Sequence, residues 1–131
     1  GTGNDRMTGG LGADVFVVNS LDVRSTRAGL LPSRDTIVDL DFGTGDRIDL
    51  SAVDANINLA GDQSFSLVAA FTNAAGQATL TYTASSNSTL VRFDVDGDGK
   101  ADLELVINGN HTTADPVITG GSLPTDGGWL L

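Results

Sequence analysis

The amino-acid sequence predicts an all-β protein in which a short parallel β-roll is capped by an antiparallel β-meander or sandwich. Three observations lead to this fold class. A glycine and aspartate pattern recurs after nine residues at the amino-terminal end. Of the 17 acidic residues, 16 are Asp, which favours turns and cation sites over helices. The second half alternates apolar and polar residues over short segments separated by turn residues, which is typical of half-buried strands.

Two adjacent segments at the start of the chain repeat each other: GTGNDRMT over residues 1–8 and GGLGADVFV over residues 9–17. The matched pairs are Gly1 and Gly10, Gly3 and Gly12, Asp5 and Asp14, and Met7 and Phe16. The shared pattern, G-G-x-G-x-D-x-U-x with U apolar, is that of the calcium-binding nonapeptide of parallel β-rolls. Two ordinary glycine-rich turns are the alternative, but they do not explain four matched positions in one register.

Each position of this nonapeptide has a physical purpose. Glycines allow the positive φ angles that let backbone carbonyls converge on a cation. The aspartate adds a hard anionic oxygen suited to Ca²⁺, and x-U-x is a short strand with one side chain pointing inward. Repeats of this kind need about three neighbours for stability. We therefore expect either further repeats before Gly1, in a longer protein, or a cap in the residues that follow.

The middle of the chain continues with short elements. Residues 20–33 are polar, with a Leu-Leu-Pro break, and predict an irregular loop. Residues 35–42 predict a strand, residues 43–46 a turn, and residues 47–51 a second strand. Residues 51–58 could hold at most one helical turn.

The second half predicts a meander. Residues 65–71 form a mostly apolar run suited to a buried strand, and strands follow at residues 78–84, 90–95 and 101–108. Short polar turns join the last three strands, so they should form an antiparallel sheet. A sheet with one apolar face can close the open end of a roll and cover its last strands.

The turn before the last of these strands is a second metal candidate. In the segment DVDGDGKAD, the positions of an EF-type calcium loop are filled by Asp94, Asp96, Asp98, Gly99 and Asp102. Position 12, which should be a bidentate Glu, is Leu105, and Glu104 is one residue short. A two-residue Asp-Gly hairpin turn also accounts for this segment, so both interpretations stay open.

Composition excludes several function classes. A net charge of −10 argues against binding to nucleic acid or an anionic membrane surface. No apolar run approaches the ~18 residues that a membrane span needs. The chain has no Cys and one His, His111, so it cannot build an HExxH zinc site. His111 lies in a turn-like stretch and seven aromatic residues offer little platform for a sugar-cleaving groove, so we expect no enzymatic activity from these residues.

The motifs together carry a family resemblance. They occur in the order GGLGADVFV, a polar loop with Asp22, DTIVDLDFGTGDRIDLS, LVRFDVDGDGKADLELVI and HTTADPVI. In this order the chain resembles the C-terminal RTX (hemolysin-type calcium-binding repeat) region of serralysin-type proteins exported by type I secretion. Similar ends occur on metalloproteases, lipases, alginate epimerase modules and adhesins. The resemblance spans residues 1–118 and is specific for the module, not for the activity attached to it.

The resemblance implies calcium ions held between loops that stack on the same side of a right-handed roll. Asp5 should face the loop at residues 18–22, one coil later. Asp14, with Gly10 and Gly12, should face the loop that carries Asp35 and Asp39. The second members of these pairs lack the glycines, so they should bind through side chains more than through carbonyls. Two calcium ions and one further possible ion are expected, with the ligands Gly1, Gly3, Asp5, Gly10, Gly12, Asp14, Asp22, Asp35, Asp39, Asp94, Asp96, Asp98 and Asp102.

The expected function follows from this resemblance. Residues 1–118 should form a secreted, non-catalytic module that folds on Ca²⁺ after transient passage through a type I exporter, as part of a larger extracellular protein. Because the chain starts without an initiator Met or signal peptide, we expect it to be a piece of that protein. A calcium-dependent module that binds a polysaccharide, or an adhesin module, is the alternative. Residues 119–131 should be a tail that is a secretion signal, a linker or an addition.

Overall fold

The computed structural model describes residues 3–19, 33–61, 63, 65–111 and 129–130. Within these residues it is built from strands and one short 3₁₀ helix, and this confirms the all-β prediction. The elements in chain order are β1 Arg6–Met7, β2 Val15–Asn19, β3 Ser33–Ile37, the 3₁₀ helix Phe42–Thr44, β4 Arg47–Ala52, β5 Ser66–Leu67, β6 Gln77–Thr83, β7 Ser88–Asp94, β8 Leu103–Asn108 and β9 Trp129–Leu130. In this described part of the chain, no helix has the length and apolar character needed to cross a lipid bilayer.

The strands form two sheets. The larger sheet has the order β1-β3-β8-β7-β6-β5, and the smaller has the order β2-β4-β9. The roll strands pair in parallel, β1 with β3 and β2 with β4. The cap strands β6, β7 and β8 pair antiparallel. A parallel roll and an antiparallel meander therefore coexist, as the sequence predicts.

The roll consists of successive strands that alternate between the two sheets. Arg6 pairs with Thr36 across β1 and β3, and Val15 pairs with Arg47 across β2 and β4. The two registers correspond to offsets of 30 and 32 residues, so the roll returns to each sheet after a coil of that length. The irregular loop expected at residues 20–33 lies outside the described residues except for Ser33, which begins β3.

The apolar positions of the repeats form the inner face of the roll. Phe16 is 5% exposed, and Met7 packs against the same buried cluster. In the second coil, Ile37 and Ile48 are fully buried. Each of these residues stands two positions after an aspartate, so one apolar side chain per short strand fills the interior.

The cap closes the roll by extending its larger sheet. Strand β8 pairs in parallel with β3 over residues 103–107, and the meander continues from it. Leu103, Leu105 and Ile107 alternate along β8 and are fully buried. Phe93 of β7 meets Phe65 edge to face, with ring centroids 4.8 Å apart. The cap is therefore joined to the roll through backbone pairing as well as through the core.

Several local expectations differ from the structure. The strand expected at residues 35–42 ends at Ile37, because the chain bends there into the loop that carries Asp39. The strand expected at residues 65–71 is reduced to Ser66–Leu67. No helical turn forms at residues 51–58, where carboxylate and amide side chains accept nearby backbone N–H groups instead.

Candidate metal sites

One roll site forms where the segment before β1 meets the start of β3. Asp5 donates its backbone N–H to Asp35 Oδ1 at 2.8 Å, and Thr36 returns an N–H to the Asp5 carbonyl at 2.8 Å. Asp35 is 3% exposed, and Gly3 has a φ of 115°, the left-handed conformation predicted for it. The structure thus places Asp35 on the Asp5 side of the roll and not on the Asp14 side, where it was expected, because β3 pairs with β1. The expected partner loop, residues 18–22, lies mostly outside the described residues.

The other roll site forms between the loop at residues 8–14 and the loop at residues 38–46. Gly9 and Gly10 donate their N–H groups to the two carboxylate oxygens of Asp39, at 2.9 and 2.8 Å. Gly10 and Gly12 have φ angles of 98° and 112°. The predicted approach of Gly10 to Asp39 is therefore observed, and the second loop contributes a side chain, as its lack of matching glycines predicts.

Asp14 ends the first of these loops, and its backbone contacts the end of the second loop and the start of β4. Its N–H donates to Asp46 Oδ1 at 3.0 Å, and its carbonyl accepts the Arg47 N–H at 2.8 Å. Its carboxylate oxygen Oδ2 is buried and has no hydrogen-bond partner. Burying an anionic oxygen without a partner is costly, and a bound cation would remove that cost.

Gly9 is required beside this carboxylate. A Cβ at position 9 would lie 2.6 Å from Asp14 Oδ2. The glycine therefore leaves room for the carboxylate rather than serving only as a turn residue.

Asp46 is a site residue that the sequence reasoning missed. It is 3% exposed, and its Oδ2 accepts the Asp41 N–H at 2.9 Å while Oδ1 accepts that of Asp14. A signal was available, because Asp46 stands two residues before the buried Ile48. Asp5, Asp14 and Asp35 have the same spacing to their apolar residues, but glycines one position out of register hid the repeat at residues 43–45.

The electrostatics of the second roll site favour an ionised carboxylate. The pKa of Asp39 lies below 3.8, chiefly because the Gly9 N–H and then the Gly10 N–H donate to it. Hydrogen bonds to the charged form of a carboxyl group stabilise that form. Asp39 is therefore an anion at neutral pH, as a calcium ligand must be.

The cap loop brings three carboxylates together. Asp94, Asp96 and Asp102 each offer an oxygen within 4.8 Å of the others, and they are the one such group of three found among the described residues. Their side chains are at most 3% exposed. The described roll carboxylates form no group of three this compact. Ca²⁺ also binds backbone carbonyls, so a roll site does not require a compact group of three carboxylates.

Backbone donors inside the loop already contact this carboxylate group. Asp94 accepts N–H groups from Gly97 at 2.6 Å and Gly99 at 2.9 Å, and Asp102 Oδ2 accepts that of Val95 at 2.9 Å. Asp98 is less buried than these three and is not a member of the group.

Residues 104 and 105 and the length of the loop distinguish an EF-type loop from a two-residue hairpin turn. Leu105 at position 12 is fully buried in the core, and Glu104 contacts Arg34 on the other face of the sheet. The EF-type glutamate is therefore not replaced by its neighbour. The two-residue hairpin reading is wrong, because eight residues separate β7 from β8.

Of Gly1, Asp22 and His111, the structure describes His111. Gly1 and Asp22 lie outside the described residues. His111 follows β8, where its backbone N–H donates to Thr89 Oγ1 at 3.0 Å and its ring Nε2 lies 2.9 Å from the Asn108 carbonyl oxygen.

The fold and these aspartate loops define a calcium-binding β-roll module with a β cap. A family model described as "Peptidase M10 serralysin C terminal" matches residues 1–119. The chain belongs to this family, which confirms the resemblance seen in its motifs. The family is a non-catalytic RTX repeat region, the calcium-binding C-terminal module of proteins secreted by the type I route.

Solved structures support the same fold. The AlgE6R2 subunit from the Azotobacter vinelandii mannuronan C5-epimerase is 27% identical with a TM-score of 0.63, over 100% of this chain and 67% of that chain. The AlgE6R3 subunit of the same enzyme is 24% identical with a TM-score of 0.51, over 95% of this chain and 67% of that chain, and it shows the fold alone. No curated protein matches the sequence significantly.

Proposed function

We propose that this chain is a calcium-triggered folding module of a larger extracellular protein and has no catalytic role of its own. In this proposal the roll holds two calcium ions, one at Asp5 and Asp35 and the other at Asp14 and Asp39. The observation that carries the proposal is the buried, unpartnered Oδ2 of Asp14. A divalent cation would supply the missing positive charge between the coils.

The sites can act as a folding switch because each one joins two distant parts of the chain. Asp5 contacts Asp35, and Gly9 and Gly10 contact Asp39, across about 30 residues of sequence. A site made from two coils does not exist before the coils stack. Binding free energy at such a site is therefore folding free energy, and without calcium the carboxylates of stacked loops repel each other.

The expected affinity suits an extracellular trigger. Extracellular modules bind Ca²⁺ with dissociation constants of roughly 10⁻⁴ to 10⁻³ M. At a tenfold excess of calcium, each site would stabilise the folded state by about 1.4 kcal/mol. Two sites contribute a substantial part of the ~5 to 15 kcal/mol that stabilises an ordinary domain. In a cytosol poor in calcium the roll would stay open, which suits a type I exporter that takes unfolded chains.

A calcium titration followed by calorimetry and circular dichroism tests the proposal. We expect uptake of two ions by the roll, accompanied by a gain of β structure in the millimolar to submillimolar range. Magnesium at the same concentration is the control, because it demands a smaller and more rigid octahedral site. A chain with equal structure and melting temperature in calcium and in chelator would contradict the proposal.

The cap loop is the candidate for a third ion. Three buried carboxylates within 4.8 Å favour a cation there, while the N–H donors within the loop favour a closed turn without one. An Asp96→Asn variant separates these alternatives. If the loop binds calcium, the variant should take up one ion fewer than the wild type.

A glycan-binding module is the second candidate function. It is favoured by the 27% identity to a subunit of a mannuronan epimerase. Binding of polysaccharides, measured in calcium and in chelator, distinguishes the two functions. A pure folding module should bind none of them in either condition.

A further inference from the structure

We infer that a ladder of three charged side chains, Arg34, Glu104 and Arg92, couples the roll to the cap, so that calcium held between the coils also stabilises the cap. We name these three residues the outer-face ladder. The inference deepens the proposed function and rests on it, because it assigns the path by which a roll site would affect residues that bind no roll calcium.

The ladder crosses three strands in exact register. Arg34 on β3 is the register partner of Glu104 on β8, and Glu104 is the partner of Arg92 on β7. Arg34 Nε donates to Glu104 Oε2 at 2.6 Å, and Arg92 Nε lies 3.3 Å from Glu104 Oε1. The Glu104 side chain is 6% exposed beneath the two arginines. A hydrogen-bonded ion pair that is partly buried is screened less by solvent than an exposed one.

The inner face of β3 carries few apolar residues. Strand β3 points Ser33, Asp35 and Ile37 inward, and only Ile37 is apolar. The hydroxyl of Ser33 is buried and has no hydrogen-bond partner. On β3, Ile37 is therefore the apolar contact with the core that roll and cap share, and the outer-face ladder adds a polar side-chain link on the opposite face of the sheet.

At its roll end the ladder starts from an inter-coil site. The backbone N–H of Arg34 donates to Asn4 Oδ1 at 2.9 Å, and the next residue, Asp35, accepts the Asp5 N–H. The contacts that stack the first coil on the second therefore also fix the backbone from which the Arg34 side chain extends.

At its cap end the ladder reaches the segment that follows β5. The Arg92 guanidinium lies over the Phe71 ring, 5.8 Å from its centroid. Arg92 also precedes Asp94 by two residues on β7. A shift of Arg34 would therefore act on Glu104 first, and through it on the strand that ends in the cap loop.

Hydrogen exchange of the cap, followed over residues 77–94 in saturating calcium, tests this coupling. The perturbation is Asp39→Asn, which weakens the roll site at Asp14 and Asp39 and changes no residue of the ladder. It is introduced into the wild type, into Arg34→Gln, and into Arg47→Gln. Arg47 is a matched control, because it is an exposed arginine on the roll strand β4.

We expect Asp39→Asn to speed exchange of the cap amides about tenfold in the wild-type and Arg47→Gln backgrounds, within the range of ordinary coupling between sites. In the Arg34→Gln background the same change should speed exchange less than about twofold. Glu104→Gln, which keeps the shape and removes the charge, should give the same loss of response. It serves as a second variant if Arg34→Gln does not fold.

Each other outcome contradicts a specific claim. An equal response in the Arg34→Gln and Arg47→Gln backgrounds would overturn the role of the ladder. A wild-type cap that does not respond to Asp39→Asn, in a chain that does bind calcium, would overturn the coupling itself. A chain that takes up no calcium would instead overturn the proposed function.

Discussion

Both the roll and the cap contain clustered aspartates, but the sequence separation between the clustered residues differs between the two regions. In the roll, Asp14 approaches Asp46, 32 residues away. In the cap, Asp94, Asp96 and Asp102 come from one nine-residue segment and accept N–H groups from that same segment. The cap loop therefore supports its own geometry, whereas a roll site exists only after two coils have stacked.

This difference indicates where calcium should matter for folding. A cation between coils stabilises long-range contacts that carry a loop-closure cost. A cation in a loop that is already closed by its own hydrogen bonds adds affinity but creates few new contacts. We therefore expect the roll to depend on calcium far more strongly than the cap loop does.

Chelation of calcium should give the largest effect. Two roll sites at tenfold excess contribute about 3 kcal/mol, which corresponds to roughly 10 °C in melting temperature for a domain of this size. Differential scanning calorimetry in calcium and in chelator measures the shift. An unchanged melting temperature would remove the distinction between the two regions.

Asp14→Asn should show that this dependence belongs to the roll. The variant should lose most of one site's contribution in calcium, about 1 kcal/mol, and change little in chelator. It removes the negative charge that makes the unpartnered Oδ2 a cation ligand.

Asp49→Asn is the matched control for this change. Asp49 lies on roll strand β4, and the hydrogen bonds it accepts come from the nearby Ser51. Its variant should keep the wild-type calcium response. Equal loss of the calcium response in both variants would contradict a specific role for Asp14.

Glycine-to-alanine substitutions in the roll and in the cap should differ in their cost to stability, because the space around the two glycines differs. Gly99→Ala places a Cβ against the Asn73 side chain, at a φ of 79°. Gly10→Ala meets no atom within 4 Å, at a φ of 98°. We expect a cost of about 1 kcal/mol from backbone strain at Gly10 and more than that at Gly99. Urea unfolding in saturating calcium, where the roll is folded, measures both costs, and a larger cost at Gly10 would contradict the account.

The pH dependence at Asp39 should be the smallest effect. The Gly9 and Gly10 N–H groups hold the folded-state pKa of Asp39 below 3.8. The ionised Asp39 carboxylate therefore contributes fully to stability at pH values above its unfolded-state pKa of about 3.9. This contribution is lost as the pH falls through the lower folded-state pKa. A carboxyl NMR titration in calcium, where the coils are stacked, checks the direction. A pKa for Asp39 at or above its ordinary value in calcium would contradict the role given to these inter-coil hydrogen bonds.

The sequence predicts the repeating parts of this fold well. The Asp-x-apolar spacing and the positive φ at Gly3, Gly10 and Gly12 follow from local rules, and the alternation in β6 to β8 identifies the cap. The partner of each roll loop depends on coil length, which the chain between β2 and β3 sets. Spacing alone therefore did not pair Asp5 with Asp35, and it gave no reason to select Asp46.

The cap loop illustrates a different limit. Its sequence fits both an EF-type calcium loop and a two-residue hairpin turn. The choice between them depends on how many residues the hairpin leaves unpaired and on the direction of the Glu104 side chain. Both are consequences of pairing with distant strands, since Glu104 faces Arg34 of the roll. The local amino-acid sequence therefore could not distinguish a short turn from an acidic cluster.

Exchange rates of the amide hydrogens that join the two coils test the central claim most directly. Thr36 donates to the Asp5 carbonyl, and Arg47 donates to the Asp14 carbonyl. We predict that both amides are protected in calcium and exchange at nearly the unfolded rate in chelator. Protection of both amides to the same degree in the two conditions would contradict the claim that calcium holds the coils together.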